Sequence, residues 1–315
     1  MKAAIVTQAG ATPVYGEFAE PAARADQFMI DIRAAALSPL TRGRAAGSHY
    51  SAEHSYPQVP GVDGVGALAG QRVYFVRPEP PYGSMAERVA IVPERCVMLP
   101  DGLDDVTAAA LANPGMSSWA ALRHRAKLAA GETVLVNGAT GSAGRLAVQI
   151  ARHLGAKKVI ATGRNPAALQ ELARLGADAI LPLGNAEAFA EACTKQFAQG
   201  VDVVLDYLWG ASAETLLTAA ARTAKDGVPL RYVEIGAASG ADIQLPGAVL
   251  RASAISLMGS GIGSVTMAHL LRSIEELFQA AGDAGFEVKT RAVPLSQVEQ
   301  AWDQEGSNER VVFTL

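Results

Sequence analysis

Apolar residues follow two different rhythms along this chain. Up to about residue 100 the apolar runs are short and are often broken by Gly and Pro, the pattern of strands rather than helices. Met29-Ile30-Asp31-Ile32-Arg33-Ala34 alternates in and out, as a half-buried strand does. Met1–Val6, Gln71–Val76 and Glu87–Val92 read as further strands. From Asp104 helical spacing takes over, with helices expected over Val106–Leu111 and Ser117–Ala129. From Thr133 strands and helices alternate, the signature of a parallel sheet covered on both faces. Its strands are expected at Thr133–Val136, Lys158–Thr162, Ala179–Leu181, Val201–Asp206, Tyr232–Ile235 and Ile255–Met258. Helices near Ala188–Ala198 and Ala211–Ala224 cross between them, and a long amphipathic helix follows near Val265–Ala281. The closing stretch is strand Val288–Val293, helix Ser296–Trp302 and strand Val311–Thr314. It breaks the alternation, and the expectation is that it returns to the first domain.

The strand at Thr133 runs into Gly138-Ala139-Thr140-Gly141-Ser142-Ala143-Gly144 and then into a helix with Leu146, Ile150 and Leu154 on one side. Arg145, Gln149 and Arg152 are expected on the other side. Glycines in such a turn allow a tight reversal, a close approach of phosphate to backbone N–H groups, and close packing of helix on strand. The helix N-terminus adds unpaired donors and partial positive charge. The turn therefore reads as a dinucleotide cradle, in a G-x-x-G-x-x-G spacing because Ala139 precedes Thr140. The next strand ends at Gly163-Arg164-Asn165 without the acid that binds a ribose 2′-hydroxyl. Arg164 stands near that place and suits a 2′-phosphate, so NADPH is expected rather than NADH. The plainer alternative is that Arg164 is a solvated turn residue and Asn165 caps a helix starting at Pro166.

Composition narrows the class. The 315 residues are long enough for two domains, and half of them are hydrophobic. A net charge of −4 with no long basic stretch argues against nucleic acid or an anionic membrane as partner. No signal-peptide pattern and no apolar run of ~20 residues is present, and two cysteines, Cys96 and Cys193, make no disulfide framework. A cytoplasmic location is the default expectation.

Several motifs in order resemble the medium-chain dehydrogenase/reductase superfamily, specifically its zinc-free quinone oxidoreductase branch. Ala36-Leu37-Ser38-Pro39-Leu40-Thr41-Arg42 is similar to that family's V-N-P-x-D segment, and Val59-Pro60-Gly61-Val62-Asp63-Gly64-Val65-Gly66 to its V-P-G-x-D-x-x-G. Met116–Leu122 resembles L-T-A-W-x-x-L, Asn137–Gly144 resembles x-G-A-x-G-x-x-G, and Val293-Pro294-Leu295 with Ala301-Trp302 resembles the closing segment. The resemblance implies a GroES-like β-rich catalytic domain, residues 1–110 plus 264–315, and a Rossmann doubly wound domain of six parallel strands, residues 111–263, which binds NADPH. It places the active site in the cleft between the two. Ser38 stands where the family usually has Asn, and Thr41 where it usually has Asp.

Zinc-dependent relatives carry a Cys near Ser38 and G-H-E at the Gly61 segment, where this chain reads Gly61-Val62-Asp63. His49 and His54 lack a Cys or a well-placed carboxylate to complete a set, so no metal is expected. His124, His153 and His269 read as surface residues of helices. Without a metal, the chemistry favours an acceptor that stabilises negative charge by itself, a quinone or an α,β-unsaturated carbonyl. The candidate catalytic residues are Tyr50, as hydrogen-bond or proton donor, and Ser38, Thr41 and Arg42, which the family match puts on the substrate side. Tyr50 can equally be a packed loop aromatic.

Candidate cofactor contacts beyond the glycine turn and Gly163-Arg164-Asn165 are Ser117, the strand end at Ile235-Gly236-Ala237, and Gly259-Ser260. Ser117 can also be a helix N-cap. Tyr207 and Trp209 either flank an adenine or fill the core, and Asp206 reads as structural. The loop Pro78–Tyr82 is a candidate for shaping the substrate pocket. The first functional reading is an NADPH-dependent, zinc-independent quinone or enone reductase. A second is an enoyl-thioester reductase, resembled through Asn113-Pro114, against which stands the lack of any evident basic cluster for a coenzyme phosphate. A third is an NADPH-binding redox sensor with little turnover. The resemblance also implies a homodimer, paired through the strand Ile255–Met258.

Overall fold

A computed structural model describes residues 1–304 and 309–315. In chain order the elements are β1 (Lys2–Ile5), β2 (Val14–Glu17), β3 (Phe28–Ala36), α1 (Pro39–Ala45), β4 (Asp63–Leu68), β5 (Gln71–Val76), β6 (Arg88–Ile91), β7 (Cys96–Met98) and α2 (Asp105–Ala120). There follow β8 (Thr133–Asn137), α3 (Ser142–His153), β9 (Lys158–Gly163), α4 (Pro166–Arg174), β10 (Ala179–Pro182), α5 (Ala186–Gln199), β11 (Val203–Asp206) and α6 (Gly210–Thr223). The chain closes with β12 (Pro229–Glu234), α7 (Gly247–Arg251), β13 (Ala254–Gly259), α8 (Met267–Ala284), β14 (Thr290–Pro294), α9 (Val298–Trp302) and β15 (Arg310–Thr314). It divides into two units, Met1–Asn113 with Ile274–Leu315, and Pro114–Ser273. The expected boundaries stood at 110/111 and 263/264. No helix among the described residues is long and apolar enough to cross a membrane.

In the second unit the strands form one parallel sheet of six, in the order β10-β9-β8-β11-β12-β13. Val134, Leu135 and Val136 are fully buried, as expected of a central strand covered on both faces. Strand order reverses between β8 and β11, so the crevice of such a sheet lies outside their carboxyl ends. α3 departs from its expected pattern. Arg145 and Gln149, expected on a polar side, are 7% and 9% exposed; Arg145 pairs with Glu171 of α4 at 2.8 Å, and Gln149 Nε2 donates to Arg145 O at 3.2 Å.

A second departure is α2. Two helices were expected on either side of Asn113-Pro114, but one helix runs through them and then widens into a π-turn at Ala121–Arg125. Burial of Ala108–Ala112 and of Trp119 and Ala120 overrides the helix-breaking tendency of Pro114. The Ser117 and Ser118 hydroxyls donate to the Pro114 and Gly115 carbonyls at 2.8 and 3.0 Å. Ser117 is thus in mid-helix and not an N-cap. His124, expected on the surface, is half-buried, its ring stacked 4.2 Å from that of His269.

The first unit holds a sheet of seven strands, β14-β15-β3-β4-β5-β7 in order, with β6 also paired to β3. The closing segment joins it through β15, whose Val312 pairs with Ala36 and Phe313 with Ala35. The reason is burial: Val293, Leu295, Val298, Trp302 and Phe313 share one core cluster with Ala3, Ala4, Ala35 and Val59. Beneath β4, the buried Tyr74 donates to Asp63 Oδ2 at 2.7 Å. Burial pushes the Asp63 carboxyl up, opposed by that bond and by the buried Arg310 guanidinium.

The carboxyl edge of the parallel sheet is tied together by the buried Asp206. Its Oδ1 accepts from Asn137 Nδ2 (2.7 Å), Leu208 N (2.8 Å) and Trp209 N (3.1 Å), and its Oδ2 accepts from Tyr232 Oη (2.5 Å). Asn137 Oδ1 accepts from Thr162 Oγ1 at 2.6 Å, and that hydroxyl accepts from Gly138 N at 3.0 Å. The ends of β8, β9, β11 and β12 thus share one network. Asp206→Ala would leave several buried donors unpaired, at roughly 1–3 kcal/mol for each uncompensated group, and is expected to lower unfolding stability by about 3–5 kcal/mol in urea. Asp206→Asn keeps acceptor capacity at one oxygen and is expected to cost less.

Candidate functional site

The turn from β8 to α3 has the geometry of a backbone cradle. Gly138 adopts φ +87, left-handed backbone that favours glycine. A Cβ on Gly144 would come within 2.3 Å of the Gly138 carbonyl oxygen and 2.6 Å of Ala139 Cα, so only glycine lets α3 start this close to the strand. A Cβ on Gly141 would meet nothing nearer than 4.0 Å, so Gly141 faces open space. Gly141 is the N-cap of α3 and supplies no side-chain hydrogen bond, whereas α4 and α5 are capped by Asn165 and Asn185. The first N–H groups of α3, at Ser142, Ala143 and Gly144, therefore lack a side-chain acceptor. This fits an anion such as a pyrophosphate.

The end of β9 lies against this turn. Ala139 N donates to Thr162 O at 2.8 Å, and a Cβ on Gly163 would collide with Thr140 Cγ2 at 2.5 Å. The structure thus brings Gly138–Gly144 and Gly163-Arg164-Asn165 together. Asn165 Oδ1 accepts from Ala168 N at 3.1 Å, the helix cap of the plainer alternative. Arg164 beside it is exposed, with no hydrogen bond or ion pair among the described residues. Its guanidinium stays available to a ligand while Asn165 caps.

At the far side of the same edge, Ile235 N and Gly236 N donate to Asp206 O at 2.7 and 3.2 Å, and Ser260 N donates to Glu234 O at 2.8 Å. Ala237 and Gly259 line a pocket of about 340 Å³ with Trp209, Glu234, Leu257 and Met258. Glu234 was not singled out from the sequence. The signal was an acid at the end of a buried strand, and its carboxyl is pushed up by burial and by the Asp206 charge. Trp209 adopts φ +58 at the N-cap of α6; its ring meets Tyr232 edge-on at 6.4 Å and packs against the core while also lining this pocket. Tyr207 places its hydroxyl beside Ser117 and Ser118. Burial pushes that hydroxyl up to about 12, and it has no hydrogen-bond partner among the described residues.

In the first unit, Ser38 and Thr41 are both buried and in contact. Ser38 Oγ accepts from Thr41 N at 3.0 Å and lies 2.9 Å from Thr41 Oγ1, forming the N-cap of α1. Both hydroxyls serve that cap in this structure. Arg42, on the same helix, has a buried Nε without a hydrogen-bond partner among the described residues. Tyr50 is 74% exposed, its ring 4.2 Å from that of His49. His49 Nδ1 is 2.8 Å from Ser51 Oγ. Among the described residues no three His, Cys, Asp or Glu side chains come close enough to hold a metal ion. Burial pushes the Cys96 thiol up to about 11 and the Cys193 thiol up to about 12.

Residues 143–278 match the family model described as a zinc-binding dehydrogenase. The chain is 30% identical, over 99% of its own length and 99% of the relative's, to a probable NADPH-dependent quinone reductase of Emericella nidulans. It is 32% identical to a 2-methylene-furan-3-one reductase of Solanum lycopersicum, over 56% of this chain and 51% of that one. Among solved structures, a quinone oxidoreductase of Thermus thermophilus, determined also in complex with NADPH, superposes with a TM-score of 0.83 at 27% identity, covering 100% of both chains. With full-length likeness to a reductase and a glycine turn at the switch point of a six-stranded parallel sheet, this chain belongs to the medium-chain dehydrogenase/reductase superfamily.

Proposed function

We propose that the protein is an NADPH-dependent reductase of quinones or α,β-unsaturated carbonyls that works without zinc. The observation that carries the reading is the uncapped α3 N-terminus at Gly141–Gly144 beside the unpaired Arg164. The backbone N–H groups of Ser142, Ala143 and Gly144 hold the pyrophosphate, and Arg164 pairs with the 2′-phosphate through charge-assisted hydrogen bonds. Ala237 and Gly259, with the backbone of Ile235, Gly236 and Ser260, border the nicotinamide end. When bound, NADPH supplies a hydride, and the acceptor takes up a proton with it to leave as a hydroquinone or a saturated carbonyl compound. Tyr50 and Arg42 are the side chains proposed to meet the acceptor. Ser38 and Thr41 position Arg42 by capping its helix. The relatives reduce quinones or a furanone by their names, which supports the acceptor class.

The absence of zinc rests on donor chemistry. The hydroxyl of Ser38 is committed to a helix cap, and Val62 offers no ligand atom. We also propose a homodimer. β13 ends the parallel sheet with no strand beyond it among the described residues, and Leu257 on it is 38% exposed.

Fluorescence titration tests the cofactor. Arg164→Ala is expected to weaken NADPH about ten- to hundredfold, the cost of losing charged hydrogen bonds, and to leave NADH unchanged. Equal effects on both would remove the 2′-phosphate role. Gly141→Ala, with a φ of −76 that alanine tolerates, is expected to keep thermal stability while weakening both cofactors. Exhaustive chelation followed by metal analysis is expected to leave turnover intact with no stoichiometric zinc. Light scattering is expected to give twice the 32.7 kDa chain mass, and Leu257→Lys is expected to shift it toward one.

A further inference from the structure

The first unit contains a cavity of about 200 Å³ whose lining includes Thr41, Arg44, Gln58, Arg77 and Arg95. Three guanidinium groups separated widely in sequence converge there. Arg77 adopts φ +54, rare for a residue with a side chain. That backbone is held from both sides: Arg77 N donates to Val62 O at 2.7 Å, and Arg77 O accepts from Arg95 Nη1 at 2.7 Å. The Arg77 guanidinium makes no hydrogen bond or ion pair among the described residues.

Two carboxylates, Glu53 and Glu79, line the same cavity and are outnumbered by its three guanidinium groups. Glu79 is taken by Arg24, which grips it with two bonds of 2.7 and 3.1 Å, leaving Arg95 at 3.8 Å. Arg44 reaches Glu53 only at 3.6 Å and Ser51 Oγ at 3.4 Å. Burial holds the Arg44 guanidinium below its ordinary value, Glu53 opposes this, and the nearby charge of Arg77 adds to it. Here four guanidinium groups, Arg24 included, face two carboxylates. Gln58 adds a buried Nε2 with no hydrogen-bond partner among the described residues.

We propose that this cavity binds a compact oxyanion (carboxylate, sulfonate or phosphate) carried by the acceptor that the enzyme reduces. Placing the anion on the acceptor rests on the proposed function, through Thr41, which lines the cavity and belongs to the segment assigned to the substrate side. The basic cluster that the sequence did not reveal is thus present, assembled from three separate loops and helix ends. Its presence removes the objection that no site exists for an anionic acceptor.

The test compares kcat/KM for 1,4-naphthoquinone-2-sulfonate and for 1,4-naphthoquinone in wild type, Arg44→Met and Arg77→Met. Arg77→Met breaks no hydrogen bond or ion pair made within the described residues, so it guards against a mere folding defect. The ratio of charged to neutral substrate is expected to fall about tenfold or more in each variant. An unchanged ratio overturns the proposal. Calorimetric titration with inorganic phosphate and with naphthalene-2-sulfonate, which cannot be reduced, reads the cavity independently of turnover. Binding by wild type that weakens about tenfold in both variants supports the cavity, and binding that is absent or unaltered overturns it. Should wild type reduce neither quinone, the proposed function fails while the titration still decides the anion site.

Discussion

A buried carboxylate governs the carboxyl edge of the parallel sheet. Strands in such a sheet end with backbone groups that neighbours do not fully satisfy, and the turns that follow must bend sharply toward helices. Asp206 collects donors from β8, from the turn after β11 and from β12. Through Asn137 and Thr162 the same network reaches Gly138 N, the first residue of the glycine turn. The cradle therefore rests on a closed set of hydrogen bonds and not on loop flexibility. A network of this kind stabilises only while every member is satisfied, because the low dielectric that strengthens each bond also raises the cost of an orphan.

Steric exclusion completes the work of that network. Gly144 lies so near Gly138 O and Ala139 Cα that a single methyl would force the helix away from the strand. Gly141 has free space around it, on the side a phosphate would approach. The two glycines thus serve opposite ends, one for packing and one for access. Beside them Asn165 satisfies its helix with its own side chain, and the neighbouring Arg164 keeps its charge unspent.

The first unit solves a different problem. Its arginine-lined cavity is built by placing Arg77 in left-handed backbone and holding it with bonds to Val62 and from Arg95. Glu79, which could have neutralised the site, is occupied by Arg24. Ser38 and Thr41, by contrast, direct their hydroxyls to each other and to the start of α1, the helix that bears Arg42 and Arg44.

By itself the sequence determined the alternation of strands and helices from Thr133, the sheet class and the glycine turn, because these depend on local periodicity and on residues adjacent in the chain, whereas β2, α1, β4, β7 and α7 were not legible in it. Thr133–Val136 is largely apolar and short, which reads as a buried strand, and Gly138, Gly141 and Gly144 mark their own turn. Tertiary structure alone decided what depends on neighbours far along the chain. Helix α2 continues through Pro114 because its surroundings are buried. Arg145 is buried, with Glu171 of α4 paired to it at 2.8 Å. The acid at Glu234 and the arginines at 44, 77 and 95 acquire meaning only when folding sets them around common cavities. Charge acts through space, and spacing along the chain records only the part of it that helices and strands keep in register.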